Sequence, residues 1–157
     1  MQTNVYIYPA KETDAAAISA IEALCFSDAW SEGSVFSHVN SQYSLSFVAR
    51  DESGECLGYI LGSKIPPECE IFRIATPPVH RRKKVAHRLL CEFISSAKDC
   101  GCDSFFIEVR QSNTPARTLY SSFGFRETGT RRGYYTSPKE DAILLFAGAD
   151  DIKAAKQ

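Results

Sequence analysis

The chain has 157 residues, of which 44% are hydrophobic and 24% are charged, as in an ordinary globular protein. This length predicts a single domain over residues 1–157, with a core large enough to need neither disulfides nor a structural metal. The formal net charge of −1 excludes a general positive field for DNA or an anionic membrane, so any basic binding site must be local.

The beginning of the chain, MQTNVYIYPA, has no basic segment followed by a long apolar run, so no signal peptide is predicted. No stretch reaches the ~18 apolar residues that a membrane span needs. We therefore expect a cytoplasmic protein without a membrane partner. The sequence leaves the oligomeric state open, with a monomer favoured.

The six cysteines are scattered and include no CxxC pair, so we expect them to be reduced residues that fill the core. His87 and Cys91 are four residues apart on a predicted helix and could share a metal ion. No third ligand lies nearby in the sequence, and zinc needs three or four. No metal site is therefore expected.

The first half of the chain predicts a strand at 5–10 and then a helix at 11–26, where apolar residues follow the helical period. Ser31 is the expected N-cap of a second, short helix. A hairpin is predicted around the turn at 52–54. Residues 69–76 form a fourth predicted strand, which two prolines end.

The second half begins with a basic loop and a long helix at 84–98, whose apolar residues form one stripe. The nearly continuous apolar run at 104–109 predicts a strand covered on both faces. A short helix follows, with Asn113 or Thr114 as its cap. A last hairpin closes the fold, and the polar tail at 148–157 is expected to be frayed.

This order of elements predicts a mixed sheet, antiparallel at the front, with a β-α-β crossover in the middle. Ligands of such sheets bind at the carboxyl ends of strands, near the point where the strand order reverses. Two predicted strand ends, at 73–76 and 107–110, are therefore the places where a functional site is expected.

A basic loop with the sequence HRRKKVA, residues 80–86, follows the first of these strand ends. The start of the next helix supplies unpaired N–H groups and a positive dipole end, which attract anions. The four basic side chains Arg81, Arg82, Lys83 and Lys84 add charge. The alternative is a solvated basic turn or an RNA contact.

Three polar residues near the second strand end are candidates for chemistry. Glu108 could serve as a general base if it is desolvated, or it could be a carboxylate paired with Arg73 or Arg110. Tyr120 could be a phenolic acid at the cleft or a core aromatic residue. Asn113 could simply cap its helix.

Several stretches of the chain resemble the GNAT acetyltransferases, and most of all the RimI-like ribosomal-protein-alanine N-acetyltransferases. The similar stretches are CFSDAWSEGSVF, IFRIATPPVHRRKKVAHRLL, FFIEVRQSNTPARTLYSSFGF and RRGYYTSPKEDAILL. The resemblance covers residues 5–146. It implies an α/β (α+β) GNAT fold, with six or seven mostly antiparallel strands, about four helices and a central splayed parallel pair.

The resemblance also implies acetyl-CoA as the acetyl donor and no metal. The backbone of Ile74, Ala75 and Thr76 would pair with its pantetheine arm. Its pyrophosphate would lie on the loop formed by Arg81, Arg82, Lys83, Lys84, Val85 and Ala86. At Lys84 the family usually has glycine, so this position departs from the pattern.

By the same resemblance, Glu108 and Tyr120 are the catalytic pair, and Asn113 and Tyr120 contact the donor. The implied acceptor-binding residues are Trp30, Arg132, Tyr134 and Tyr135. The implied acceptor is the α-amine of a protein N-terminus, such as that of a ribosomal protein.

Two alternatives remain open from the sequence. One is a GNAT enzyme that acetylates a lysine side chain or a small amine. The other is a non-catalytic GNAT-fold module that binds protein or RNA and binds acetyl-CoA poorly because of Lys84.

Overall fold

A computed structural model describes residues 3–153 of the chain. Its strands are β1 (Tyr6–Pro9), β2 (Ser44–Arg50), β3 (Cys56–Ile65), β4 (Glu68–Ala75), β5 (Ser104–Arg110), β6 (Arg126–Thr136) and β7 (Lys139–Gly148). They form one sheet in the order β1-β2-β3-β4-β5-β7-β6. β4 and β5 run parallel, and the other described neighbours are antiparallel. The predicted mixed sheet is confirmed.

The α-helices are α1 (Ala15–Cys25), α2 (Glu32–Val39), α3 (Val85–Asp99) and α4 (Thr114–Ser122). Ser31 caps α2 as predicted, because its hydroxyl accepts a hydrogen bond from the Ser34 N–H at 3.1 Å. Gly101 follows α3 with φ +92°, a conformation that glycine adopts without strain. No helix in the described range is long and apolar enough to cross a membrane.

Each face of the sheet carries its own apolar core. α3 and α4 cover one face, where Leu89, Phe93 and Phe105 are completely buried. α1 and α2 cover the other face, but their core includes residues of β2, β3 and β4 and none of the later strands. The second face of β5, β6 and β7 is therefore open.

This open face corrects the prediction that β5 is covered on both sides. Phe105, Ile107 and Val109 are buried against α3 and α4, whereas Phe106 is 38% exposed. Phe106 packs on Phe146 of β7, with ring centroids 5.2 Å apart. The prediction was wrong because Phe106 is apolar but packs on another aromatic ring at the surface. In the sequence, such a residue looks the same as one that is buried under a second layer.

The expectation of a frayed tail from residue 148 is also corrected. Ala149 N–H donates to the Asp103 carbonyl at 2.8 Å, and Lys153 N–H donates to the Phe123 carbonyl at 3.0 Å. Ile152 packs against the core beneath α3 and α4. Polar composition predicted fraying, but backbone hydrogen bonds hold this segment. The rest of the predicted tail, 154–157, lies outside the described residues.

Candidate active site

β4 and β5 separate towards their carboxyl ends. Their pairing stops at Ile71 and Ile107, although β4 stays paired with β3 as far as Ala75 and β5 with β7 as far as Arg110. β4 has an extra residue, Phe72, where its register with β3 shifts, and a bulge of this kind bends a strand. The inner strand edges therefore present unpaired backbone groups to an opening.

Thr76 follows β4 at the mouth of this opening. Its hydroxyl oxygen is fully buried and has no hydrogen-bond partner among residues 3–153. A buried hydroxyl without a partner is costly. The Thr76 carbonyl accepts a hydrogen bond from Arg81 Nε at 3.1 Å. This hydrogen bond ties the basic loop to the strand end.

The start of α3, next to this loop, has backbone N–H groups without helical partners. The first hydrogen bond between the loop and α3 runs from the Arg88 N–H to the Lys84 carbonyl at 3.0 Å, so the N–H groups just before Arg88 are free of helical partners. Arg82 and Lys84 have φ values of +67° and +60°. Left-handed residues of this kind turn successive N–H groups into a concavity that binds anions. The geometry supports an anion site rather than a plain turn.

Lys84 has a left-handed conformation, which costs a residue with a side chain about 1–2 kcal/mol. Lys84→Gly is therefore expected to raise the free energy of unfolding by about 0.5–1 kcal/mol, after the extra freedom of glycine in the unfolded chain is counted. Urea denaturation measures this change.

Lys83→Gly is the matched control, because it removes the same charge at a residue that is not among those with positive φ. We expect it to lower stability. Acetyl-CoA titration of both variants separates charge from backbone strain. A Lys84→Gly protein less stable than wild type would contradict the prediction.

Glu108 lies on the open face of β5, in a cavity of about 450 Å³ that also extends over β4, β6 and β7. Its carboxylate forms an ion pair with Arg131, at 3.2 Å. The partners considered from the sequence are engaged elsewhere. Arg73 pairs with Asp28 at 3.2 Å, and Arg110 pairs with Glu140 at 3.3 Å. Arg131 was not predicted, because β6 and β5 are distant in the sequence.

Tyr120 lies on α4, on the face of β5 opposite to Glu108. Its ring is buried in the core and packs on Phe125, with centroids 5.7 Å apart, and burial raises the pKa of its phenol. In the described part of the chain the hydroxyl makes no hydrogen bond, and the whole residue is 2% exposed. Tyr120 is thus a core aromatic residue with a free polar end.

Asn113 caps α4, because its side-chain oxygen accepts a hydrogen bond from the Ala116 N–H at 3.3 Å. This is the simpler of the two roles considered from the sequence. By fixing the start of α4, Asn113 also fixes the position of Tyr120, about two turns further along the helix.

The predicted acceptor-binding residues fall on two sides of the open face. Trp30 packs near the β4 bulge, with its ring 6.2 Å from that of Phe72. Tyr135 stacks under the Arg110 guanidinium at 4.2 Å, and Tyr134 packs on Tyr135. Among the described residues, those that line the cavity of Glu108 do not include Trp30, Tyr134 or Tyr135.

Arg132 is placed differently from its predicted companions. It lines a separate hollow with Gly133, Lys139 and Glu140, while its neighbour Arg131 reaches Glu108. Side chains alternate between the two faces of a strand, so consecutive arginines cannot both point at Glu108. The structure does not bring Arg132 to the cavity.

A buried carboxylate behind Trp30 was missed in the sequence. Glu22 of α1 is completely buried, accepts hydrogen bonds from the Tyr59 hydroxyl and from the Trp30 N–H at 2.9 Å, and lies 3.4 Å from Arg73. It anchors the segment that carries Trp30. Its position was detectable, since residue 22 is four residues after Ile18 and falls on the apolar stripe of α1.

The cysteines show no metal-binding arrangement. Cys91 Sγ lies 3.6 Å from His87 Nδ1, but no group of three or more potential metal ligands occurs within residues 3–153. All six cysteines are free; Cys69 and Cys102 are buried, and Cys100 is exposed.

A parallel strand pair that opens beside a helix start with free N–H groups, with a carboxylate and a phenol on its two sides, suits acyl transfer from a thioester. Residues 15–125 match the acetyltransferase (GNAT) family. The chain belongs to this family of acyltransferases, which use acetyl-CoA as the acetyl donor.

Several similar proteins are described as ribosomal-protein-alanine N-acetyltransferases. The ribosomal protein bS18-alanine N-acetyltransferase of Escherichia coli (strain K12) is 33% identical over 135 residues, which cover 85% of this chain and 90% of that protein. The enzyme of the same description from Haemophilus ducreyi is 28% identical over 120 residues, or 74% of this chain and 81% of that one. The crystal structure of the ribosomal-protein-S18-alanine N-acetyltransferase from Escherichia coli superposes with a TM-score of 0.85 and 30% identity, over 93% of this chain and 94% of that one.

Proposed function

We propose that the enzyme moves an acetyl group from acetyl-CoA to the α-amine of a protein N-terminus, and that the acceptor is a ribosomal protein beginning with alanine. The observation that carries this proposal is the position of Glu108 and Tyr120 on opposite faces of β5, beside the opening. The bS18-specific relatives support the choice of acceptor. Such an acceptor implies a cytoplasmic enzyme.

The opening fits the shape and chemistry of the donor. The free inner edge of β4 at Ile74, Ala75 and Thr76 offers backbone groups to the amides of the pantetheine arm. The start of α3 offers N–H groups and basic side chains to the pyrophosphate. The residues proposed to contact the pyrophosphate are Arg81, Arg82, Lys83, Lys84, Val85 and Ala86.

Glu108 and Tyr120 divide the proton transfers between them. Acetyl-CoA supplies the acetyl group as a thioester. Glu108, acting through a water molecule, takes a proton from the amine as the amine nitrogen bonds to the thioester carbon. Tyr120 donates a proton to the sulfur when the carbon–sulfur bond breaks. Backbone N–H groups on the free edge of β4 stabilise the negative carbonyl oxygen in the transition state.

An α-amine suits this chemistry better than a lysine side chain. Its pKa is about 8, against about 10.4 for lysine, so at neutral pH roughly two hundred times more of it is unprotonated. Trp30 on one side and Tyr134 and Tyr135 on the other would hold the acceptor backbone. Arg132 would contribute only at the rim, through later residues of the acceptor.

An acetylation assay on synthetic peptides tests the proposal. We expect product with alanine- and serine-starting peptides, and none with the same peptides blocked at the N-terminus or with polyamines. Product on a blocked peptide that contains lysine would instead support a lysine acetyltransferase. Absence of acetyl-CoA binding by calorimetry at about 100 μM, within the usual range of KM values, would support the non-catalytic module.

A further inference from the structure

Glu70 of β4 lines the same cavity as Glu108. In the register of β4 and β5, Glu70 is opposite Phe106, and Glu108 is the next residue of β5 on that face. Neighbouring strands lie about 4.8 Å apart and two residues of a parallel strand advance about 6.6 Å, so the two Cα atoms are roughly 8 Å apart. The two carboxylates are therefore near neighbours on the floor of the cavity.

The charges around this cavity do not balance. Its charged lining consists of Glu68, Glu70, Glu108 and Arg131. Arg131 pairs with Glu108 at 3.2 Å, and Glu70 has no ion pair in the described part of the chain. The cavity thus retains an excess of negative charge. Glu68 also has no ion pair in the described part of the chain, but it is exposed, whereas Glu70 is partly buried.

The environment of Glu70 disfavours its own negative charge. Burial raises the pKa of the Glu70 carboxyl, the charge of Glu108 raises it further, and Arg131 lowers it in part. A positive charge that arrived next to Glu70 would stabilise its ionised form. A partly buried carboxylate next to another negative charge attracts cations more strongly than a carboxylate on the open surface.

The amine that reacts cannot supply this positive charge, because it must be unprotonated when it attacks the thioester. The compensating charge must come from elsewhere on the acceptor. An extended acceptor advances ~3.3 Å for each residue, so the side chain of its second or third residue lies within reach of Glu70 when its amine is at Glu108.

We propose that Glu70 is a specificity-determining residue, which favours acceptors with lysine or arginine at the second or third position. This inference rests on the proposed function and narrows its substrate class. The expected preference is about tenfold, the scale of one hydrogen bond to a charged group.

Alanine-starting peptides that differ only at the second residue provide the test. With wild-type enzyme, kcat/KM for the lysine peptide should exceed that for the norleucine peptide about tenfold, mostly through KM. In Glu70→Gln this ratio should fall close to one, and in Glu70→Lys a glutamate peptide should become the preferred one. Glu68→Gln removes the same charge from an exposed residue of the same cavity and should keep most of the preference.

The outcomes separate the two proposals. An equal lysine preference in wild type and Glu70→Gln overturns the role of Glu70 and leaves N-terminal acetylation intact. If wild type acetylates no free N-terminus, the proposed function fails and this inference fails with it. If the variants do not fold, the salt dependence of the lysine preference, measured with wild-type enzyme alone, tests the inference. The lysine preference must shrink between about 0.05 and 0.5 M salt, and a constant ratio overturns the inference.

Discussion

Glu108→Gln is expected to reduce turnover by about two orders of magnitude or more, because the amide cannot take the proton of the attacking amine. Acetyl-CoA affinity should change little, since Glu108 lies on the open face and not on the loop before α3. Steady-state kinetics with an alanine-starting peptide gives kcat, and calorimetry gives the dissociation constant of acetyl-CoA.

The ion pair with Arg131 provides an internal check on this result. Glu108→Gln also breaks that pair, which is half exposed and worth at most about 1 kcal/mol. Arg131→Gln breaks the same pair and leaves the carboxylate, so its turnover should stay well above that of Glu108→Gln. Glu127→Gln removes an exposed pair with Arg117 and should match wild type. Equal turnover in Glu108→Gln and wild type would exclude Glu108 as the base.

Local patterns in the sequence were sufficient to predict most of the fold. The stripe of α3, the proline stop after β4 and the cap at Ser31 each depend on residues a few positions apart. The opening between β4 and β5 was expected only through the family resemblance. Its physical cause, the bulge at Phe72, depends on the register with β3, which no local pattern specifies.

The partners of the site residues were much harder to predict. Arg131 reaches Glu108 because β6, β7 and β5 are adjacent in the sheet, a contact between residues 23 positions apart in the sequence. Glu22 is buried because Tyr59 and Arg73 meet it from two strands. Both contacts follow from tertiary packing, and the charge of an isolated residue does not indicate which opposite charge it will meet.

Tyr120→Phe is expected to reduce turnover by about two orders of magnitude, because the departing thiolate loses its proton donor. Stability at neutral pH should not fall, since the hydroxyl makes no hydrogen bond in the described part of the chain. Kinetics and urea denaturation of the same preparation measure both quantities. Tyr43→Phe, which removes the hydroxyl of a half-exposed tyrosine, is the control and should match wild type in both.

The pH dependence of stability distinguishes this account from a purely structural role of Tyr120. Burial raises the pKa of Tyr120 in the folded protein, while in the unfolded chain it is about 10. The unfolded state therefore loses the proton first, and the contribution of Tyr120 to stability is present below pH ~10 and declines above it. The phenylalanine variant lacks this group, so its stability should decline less than that of wild type above pH ~10. A variant with normal turnover and this altered alkaline stability would show that Tyr120 is only a core residue, and the proton would then have to come from elsewhere.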